Sequence, residues 1–144
     1  MKPSHSKVTA RSCAPAQFVR HLPADLCHSV GEVLARVGDK WSILVIYLLS
    51  QRDMRFSELK RSLGSISQKV LTTTLRGLER DGYVTRTITP VIPPRVDYAL
   101  TRLGRDALEP VTELAMWALK RRKEVEAARR VFDAKASRVS ATAD

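Results

Sequence analysis

Apolar residues recur at helical spacing in several stretches of the chain, the first starting at residue 25 and the last ending at residue 132. Residues 83–89 are rich in β-branched side chains, and residues 96–100 alternate apolar with polar ones, which predicts a β-hairpin around a proline-rich loop. The chain is therefore predicted to be mainly α with a small β-hairpin. The predicted helices span residues 25–37, 39–49, 58–63, 67–81 and 103–132.

The second helix is the most apolar, because Ser42 is the only polar residue between Trp41 and Leu49. A helix that is apolar all round is expected to be buried on every side, so this segment is placed at the centre of the core. A buried strand is the alternative, but the length favours a helix. The run is too short for a membrane span, which needs about 20 residues. With no signal peptide in view, the protein is expected to be soluble and cytoplasmic.

Two short helices joined by a turn at Gly64 are typical of a helix-turn-helix. Ser57 and Ser67 are the predicted N-caps of these helices, and Gly82 stands where the second one ends. The hairpin that follows has the position of a wing. The pattern therefore predicts a winged helix-turn-helix.

One face of the helix over residues 67–81 contains cations and hydroxyls but no carboxylate. Such a face suits the major groove, where Arg and Lys reach guanine acceptors or phosphates. The alternative is a solvated helix whose charge bias is accidental. The predicted contacts with double-stranded DNA are Ser67, Gln68, Lys69, Thr72, Thr73, Arg76 and Arg80, together with Arg86 and Arg95 on the wing.

The charge distribution agrees with a nucleic-acid partner. The net charge is +10 and the pI is near 10.2, and a strongly basic domain favours nucleic acid. The excess avoids the apolar segment around residues 25–53, while residues 54–100 contain eight cations and four carboxylates. Residues 1–24 contain four cations and no carboxylate, and they are predicted to be a flexible basic arm.

The apolar stripe of the last helix is longer than one winged domain can bury, so a second copy is expected to cover it. Pro110 is expected to kink this helix. The chain is divided into the arm (1–24), the winged domain (25–119) and a helical extension with a frayed tail after Ala134 (120–144). The predicted homodimer interface comprises Val30, Val33, Leu34, Val111, Leu114, Ala115, Ala118 and Leu119.

Enzyme or metal chemistry finds little support in the sequence. Cys13, His21, Cys27 and His28 match no metal-ligand spacing, and neither a phosphate-binding loop nor a nucleophile elbow is present. Cys27 lies at the start of a helix, where a thiol can become reactive, so it is a candidate sensor of oxidants or electrophiles. The alternative is a small hydrophobic residue. No enzyme activity, cofactor or metal is predicted.

Several motifs occur in a fixed order along the chain. They are Cys27, residues 38–44 (GDKWSIL), 55–59 (RFSEL), 66–72 (ISQKVLT) and 75–82 (LRGLERDG), the wing residues 93–98 (PPRVDY), and residues 100–104 (LTRLG). Together these motifs resemble the HxlR-type bacterial winged-helix regulators, which are allied to the MarR group, and the resemblance spans about residues 25–118. His28 departs from the pattern, because the family usually has Pro there.

This resemblance implies a homodimer that binds near-palindromic operator DNA and dimerises through its first and last helices. It also implies, for some members, sensing through the Cys at the position of Cys27. The predicted function is a sequence-specific transcriptional regulator. It is a repressor if it blocks polymerase, with activation as the alternative. A winged-helix interaction module without DNA binding is the rival reading, and it predicts no salt-dependent DNA affinity.

Overall fold

The computed structural model describes residues 23–141 and confirms a mainly helical winged helix-turn-helix. Eight elements follow one another, and all but the short strand β1 occur in the predicted order. They are α1 (Ala24–Val37), α2 (Lys40–Gln51), β1 (Met54–Arg55), α3 (Phe56–Leu63), α4 (Gln68–Arg80), β2 (Val84–Thr89), β3 (Arg95–Leu100) and α5 (Arg102–Ala141).

The chain divides into two units after Leu34. The described part of the first unit is residues 23–34, which form most of α1. The second unit begins with the last turn of α1 and contains every other element. The predicted basic arm lies outside the described residues except for its last two positions, and Ala24 already belongs to α1.

Helix α2 begins where the sequence predicts, because the Asp39 carboxylate accepts the N–H groups of Trp41 and Ser42 at 3.1 and 2.9 Å. Its inner side is part of the core, with Val45 and Ile46 fully buried. The expectation of burial on every side was wrong. Leu44 and Tyr47 are 37% and 53% exposed in the single chain. The reason is geometric, since the elements of one winged domain cover one side of this helix only.

Helix α3 begins at Phe56 and is not capped by Ser57 as the sequence suggested. The Glu58 carboxylate instead accepts the Arg55 N–H at 2.8 Å, which satisfies a backbone donor at the start of the helix. Arg52 pairs with the same carboxylate at 3.0 Å. These two contacts, the backbone hydrogen bond first, hold the pKa of Glu58 below its usual value.

The sheet has three strands in the order β1-β3-β2, all antiparallel, instead of the two of a simple hairpin. Met54 pairs with Tyr98 and Arg55 with Asp97, which attaches the short β1 to the wing. Val84 pairs with Leu100 at the base of the hairpin. The sheet therefore ties the entrance of the helix-turn-helix to the wing that follows it.

Helix α5 is capped by Thr101, whose hydroxyl oxygen accepts the Gly104 N–H at 3.1 Å. The helix continues through Pro110 and reaches Ala141, so the tail predicted to fray after Ala134 is helical up to that residue, and residues 142–144 lie outside the described part of the chain. Four of the seven residues from 135 to 141 are good helix formers, namely Lys135, Ala136, Arg138 and Ala141. Within the described residues, no helix is both long and apolar enough to cross a bilayer.

Candidate DNA interface

Helix α4 is fixed by its apolar back. Leu71, Leu75 and Leu78 are at most 1% exposed and lie in the main hydrophobic core. Ile66, just before the helix, is also buried. Because these residues recur every three or four positions, they hold one side of α4 against the domain and turn the opposite side outward.

The start of α4 follows the sequence prediction. The Ser67 hydroxyl oxygen accepts the Val70 N–H at 3.2 Å, which satisfies one of the unpaired donors of the first turn. At the other end, Gly82 adopts a φ of 80°, in the left-handed region that favours glycine. The helix therefore has a defined length and a fixed direction of entry and exit.

The outward side of α4 contains most of the predicted contacts. Gln68, Lys69, Thr73, Arg76 and Arg80 are exposed, while Thr72 is half-buried. Within the described part of the chain, Lys69, Arg76 and Arg80 form no ion pair, so their charges are available to a ligand. The Thr73 hydroxyl donates to the Lys69 carbonyl at 2.9 Å and keeps only its acceptor capacity.

The two predicted wing cations lie on the strands of the wing and are paired with carboxylates. Arg86 Nε lies 3.4 Å from Glu79 Oε1, which links β2 to α4. Arg95 Nε donates to Asp97 Oδ2 at 2.7 Å, and this contact raises the pKa of the Arg95 guanidinium. Both side chains remain nearly half exposed, at 42% and 47%. Their outer N–H groups can therefore still reach a phosphate.

The wing tip is apolar. Ile92 is fully exposed and Val91 is 48% exposed, between the prolines of the loop. In the ladder Thr89 pairs with Arg95 next to this loop, and Arg86 pairs with Tyr98 further towards the base.

Sequence reasoning missed three arginines beside the wing, namely Arg52, Arg55 and Arg61. A cleft of about 740 Å³ lies beside the sheet and the first turn of α3, and it is lined by Arg52, Arg55, Arg61 and Arg95 together with the carboxylates of Asp53, Glu58 and Asp97. Asp97 is close to two of these arginines, because its Oδ2 accepts from Arg95 and its Oδ1 lies 3.8 Å from Arg55 Nε. The only available signal was the charge of the Arg55–Leu59 motif, which is not specific.

The predicted dimer residues divide into exposed and buried positions. Val33 and Leu34 of α1 are 52% and 61% exposed. On α5, Leu114 and Leu119 are 49% and 63% exposed, Ala118 is exposed, and Ala115 and Val30 of α1 are intermediate. Val111 is different. It is only 4% exposed in the single chain, because it packs into its own domain, so it is a poor candidate for contact with a second copy.

Cys27 is exposed on α1, whereas Cys13 and His21 lie outside the described residues. Among the described residues no three His, Cys, Asp or Glu side chains cluster as metal ligands would. His28 Nε2 lies 3.8 Å from Glu32 Oε1, one turn further along the same helix.

Comparison with known proteins places these features in a family. Residues 36–126 match a family model described as HxlR-like helix-turn-helix. Over 97 residues the chain is 42% identical to the uncharacterized HTH-type transcriptional regulator YtfH of Escherichia coli (strain K12), covering 67% of this chain and 76% of that protein. The solved structure of ytfH from Salmonella typhimurium is similar with a TM-score of 0.63 and 39% identity, over 70% of this chain and 90% of that chain. The redox regulator HypR in its reduced form has a TM-score of 0.62 at 35% identity, over 69% and 98%.

Proposed function

Because this chain belongs to the HxlR-like helix-turn-helix family of transcriptional regulators, we propose that it binds a near-palindromic operator as a homodimer and represses transcription there. Two copies of α4 enter successive major grooves on one face of the duplex, about 34–36 Å apart. Repression follows because the bound dimer blocks the access of RNA polymerase to the promoter.

The observation that supports this proposal most strongly is the outward side of α4. Lys69, Arg76 and Arg80 are exposed there without carboxylate partners, while the back of the helix is fully buried. A solvated helix usually mixes both signs of charge on its exposed side. An exposed cationic side on a rigidly held helix instead complements the acceptors and phosphates of the major groove.

The wing contributes affinity more than specificity. Arg86 and Arg95 are oriented by Glu79 and Asp97, so they are suited to phosphate contacts beside the groove. Phosphate contacts release counterions, and binding is therefore expected to weaken steeply as the salt concentration rises.

The exposed apolar residues of α5 support the homodimer. Leu114, Trp117 and Leu119 are 49–63% exposed on a helix of 40 residues, and α1 by itself exposes Val33 and Leu34. Contiguous apolar surface of this kind usually marks a protein interface. A second copy is the proposed partner, because a dimer brings two recognition helices to a palindromic site.

Sedimentation of the purified protein tests the dimer. The wild type is expected to sediment as a dimer, and Leu119→Glu is expected to shift it towards the monomer. Lys120→Gln is the matched control, since it changes the net charge by one unit at an exposed position on the side of the same helix that faces away from the predicted interface. A monomeric wild type contradicts the proposed assembly.

Selection from a pool of random-sequence duplexes tests DNA recognition directly. We expect enrichment of a near-palindromic site whose affinity, followed by fluorescence anisotropy, falls as salt is raised. The region upstream of the protein's own gene is a second probe in the same assay. The absence of any enriched sequence and of salt-dependent binding would favour the rival reading, a winged-helix interaction module.

Thiol control is a second proposal, and it rests on the exposed Cys27 of α1 and on the similarity to HypR, which is named a redox regulator. In this proposal, oxidation or alkylation of Cys27 changes operator affinity. Mass spectrometry after mild peroxide or quinone treatment, with anisotropy on the same samples, tests it. Cys27→Ser is expected to bind DNA but to lose the response. An unmodified Cys27, or modification without effect on binding, contradicts the sensor role.

A further inference from the structure

The C-terminal end of helix α4 is contacted by a residue of α1, which is not part of the helix-turn-helix. We propose that Arg36, in the last turn of α1, is a positioning residue of the DNA interface that fixes the C-terminal end of α4 through Asp81 and Gly77. The inference rests on the proposed DNA binding, and it adds a contact that sets the orientation of the recognition helix.

The first contact is an ion pair. Arg36 Nε donates to Asp81 Oδ2 at 2.7 Å, and the two side chains are only 30% and 33% exposed. Partial burial reduces screening by water, and a short charge-assisted hydrogen bond fixes geometry as well as energy. Asp81 is the C-cap residue of α4, so Arg36 holds the helix at its very end.

The pairing also has an electrostatic cause within α4. A carboxylate at a helix C-terminus faces the negative end of the helix dipole and is unfavourable there. The Asp81 N–H donates to the Gly77 carbonyl at 3.0 Å, so the carboxylate stays close to the last turn. A cation supplied by α1 offsets this repulsion, and Arg36 occupies that position.

The second contact is steric and involves Gly77. A Cβ atom added at Gly77 would meet Nη1 of Arg36 and would lie 2.5 Å from Cζ and 3.0 Å from Nη2. The guanidinium therefore lies directly against the α4 backbone, in the space that any other residue would fill. Gly77 follows Arg76, the central cation of the outward side. The Arg36 guanidinium therefore contacts the helix next to the residue that is expected to contact DNA.

The opposite side of the same turn is held by the start of α5. The Thr101 hydroxyl donates to the Gly82 carbonyl at 2.6 Å, and the Thr101 N–H donates to the Tyr83 carbonyl at 3.0 Å. Residues 81–83 thus join α4 to the end of α1 and the start of α5. A shift of either helix is transmitted to the recognition helix through these three residues.

A double-mutant cycle of DNA affinities tests the role of Arg36. It compares Arg36→Ala, Gly77→Ala and the variant with both substitutions on the selected duplex. Arg36→Ala is expected to weaken specific binding about tenfold, within the range of coupling energies for residues in contact. Gly77→Ala is expected to weaken binding similarly while leaving the protein as stable as wild type or more stable, because Ala favours a helix. The two losses should not add, since Gly77→Ala displaces nothing once the guanidinium is gone. Arg122→Ala, which breaks an exposed ion pair on α5, is the matched control.

Asp81→Asn separates positioning from direct contact with DNA. If Arg36 acts through Asp81, this variant binds more weakly even though it removes a negative charge. If Arg36 instead touches a phosphate, Asp81→Asn frees the guanidinium and binding tightens. Wild-type affinity in Gly77→Ala, additive losses in the cycle, or tighter binding by Asp81→Asn would each overturn the proposal. Failure of the wild type to bind any duplex would instead overturn the proposed function.

Discussion

Substitutions at Ser67 distinguish the stability of the protein from its affinity for DNA, because they are expected to change the two in different orders. The Ser67 hydroxyl caps the Val70 N–H, and the side chain is exposed. Ser67→Ala removes the cap and is expected to lower the unfolding free energy by about 1 kcal/mol. Ser67→Asp keeps an acceptor in place, and its carboxylate gains about 0.3–1 kcal/mol from the helix dipole. The Asp variant is therefore expected to be at least as stable as the wild type.

The order of the two variants in DNA affinity is expected to be the reverse of their order in stability. Ser67→Asp sets a negative charge against the phosphate backbone, and such like-charge contacts cost several kcal/mol, or a loss of about 100-fold or more. Ser67→Ala should lose far less, because it adds no charge. Thermal denaturation followed by circular dichroism gives the stabilities, and anisotropy on the selected duplex gives the affinities. Wild-type affinity in Ser67→Asp would refute the placement of this end of α4 against DNA.

Three further variants test the domain that supports the interface. Gly104→Ala would press a methyl group against the Tyr83 carbonyl and to 2.9 Å from a Leu100 methyl carbon, so it should cost about 1–3 kcal/mol in a denaturant titration. Leu71→Ala opens a cavity behind α4 at a fully buried site and should cost about 2–5 kcal/mol by the same measurement. Glu58→Gln should lower the melting temperature at neutral pH. Since the pKa of Glu58 is lowered in the folded state, the stabilisation by its carboxylate is fully present above the ordinary Glu pKa and is lost as the pH falls through the lowered pKa. The difference in melting temperature between wild type and Glu58→Gln should therefore shrink in acid.

Local signals predicted most of the elements. Ser67 was identified as a cap because capping depends on a backbone donor two or three residues away. Gly82 was identified as the end of α4 because the left-handed position favours glycine. Ser57 was a wrong choice for the same local reason, since Glu58 competes for the start of α3 and accepts the Arg55 N–H.

Contacts between distant residues could not be predicted in the same way. The Arg36–Asp81 pair joins residues 45 positions apart, and nothing in the spacing of either residue indicates the other. The pairing of Met54 with Tyr98 depends likewise on the wing folding back beside β1. The exposed side of α4 was predictable because helical periodicity alone decides which residues share a face.

The contribution of Arg76 to binding tests the central claim, that the outward side of α4 contacts operator DNA, most directly. Anisotropy titrations on the selected duplex should show Arg76→Ala weakened by about 1–3 kcal/mol, with relaxed preference at one base pair if the guanidinium contacts guanine. Arg130→Ala, which removes the same charge from the exposed extension of α5, should stay close to wild type. Equal affinities for wild type and Arg76→Ala would contradict the account.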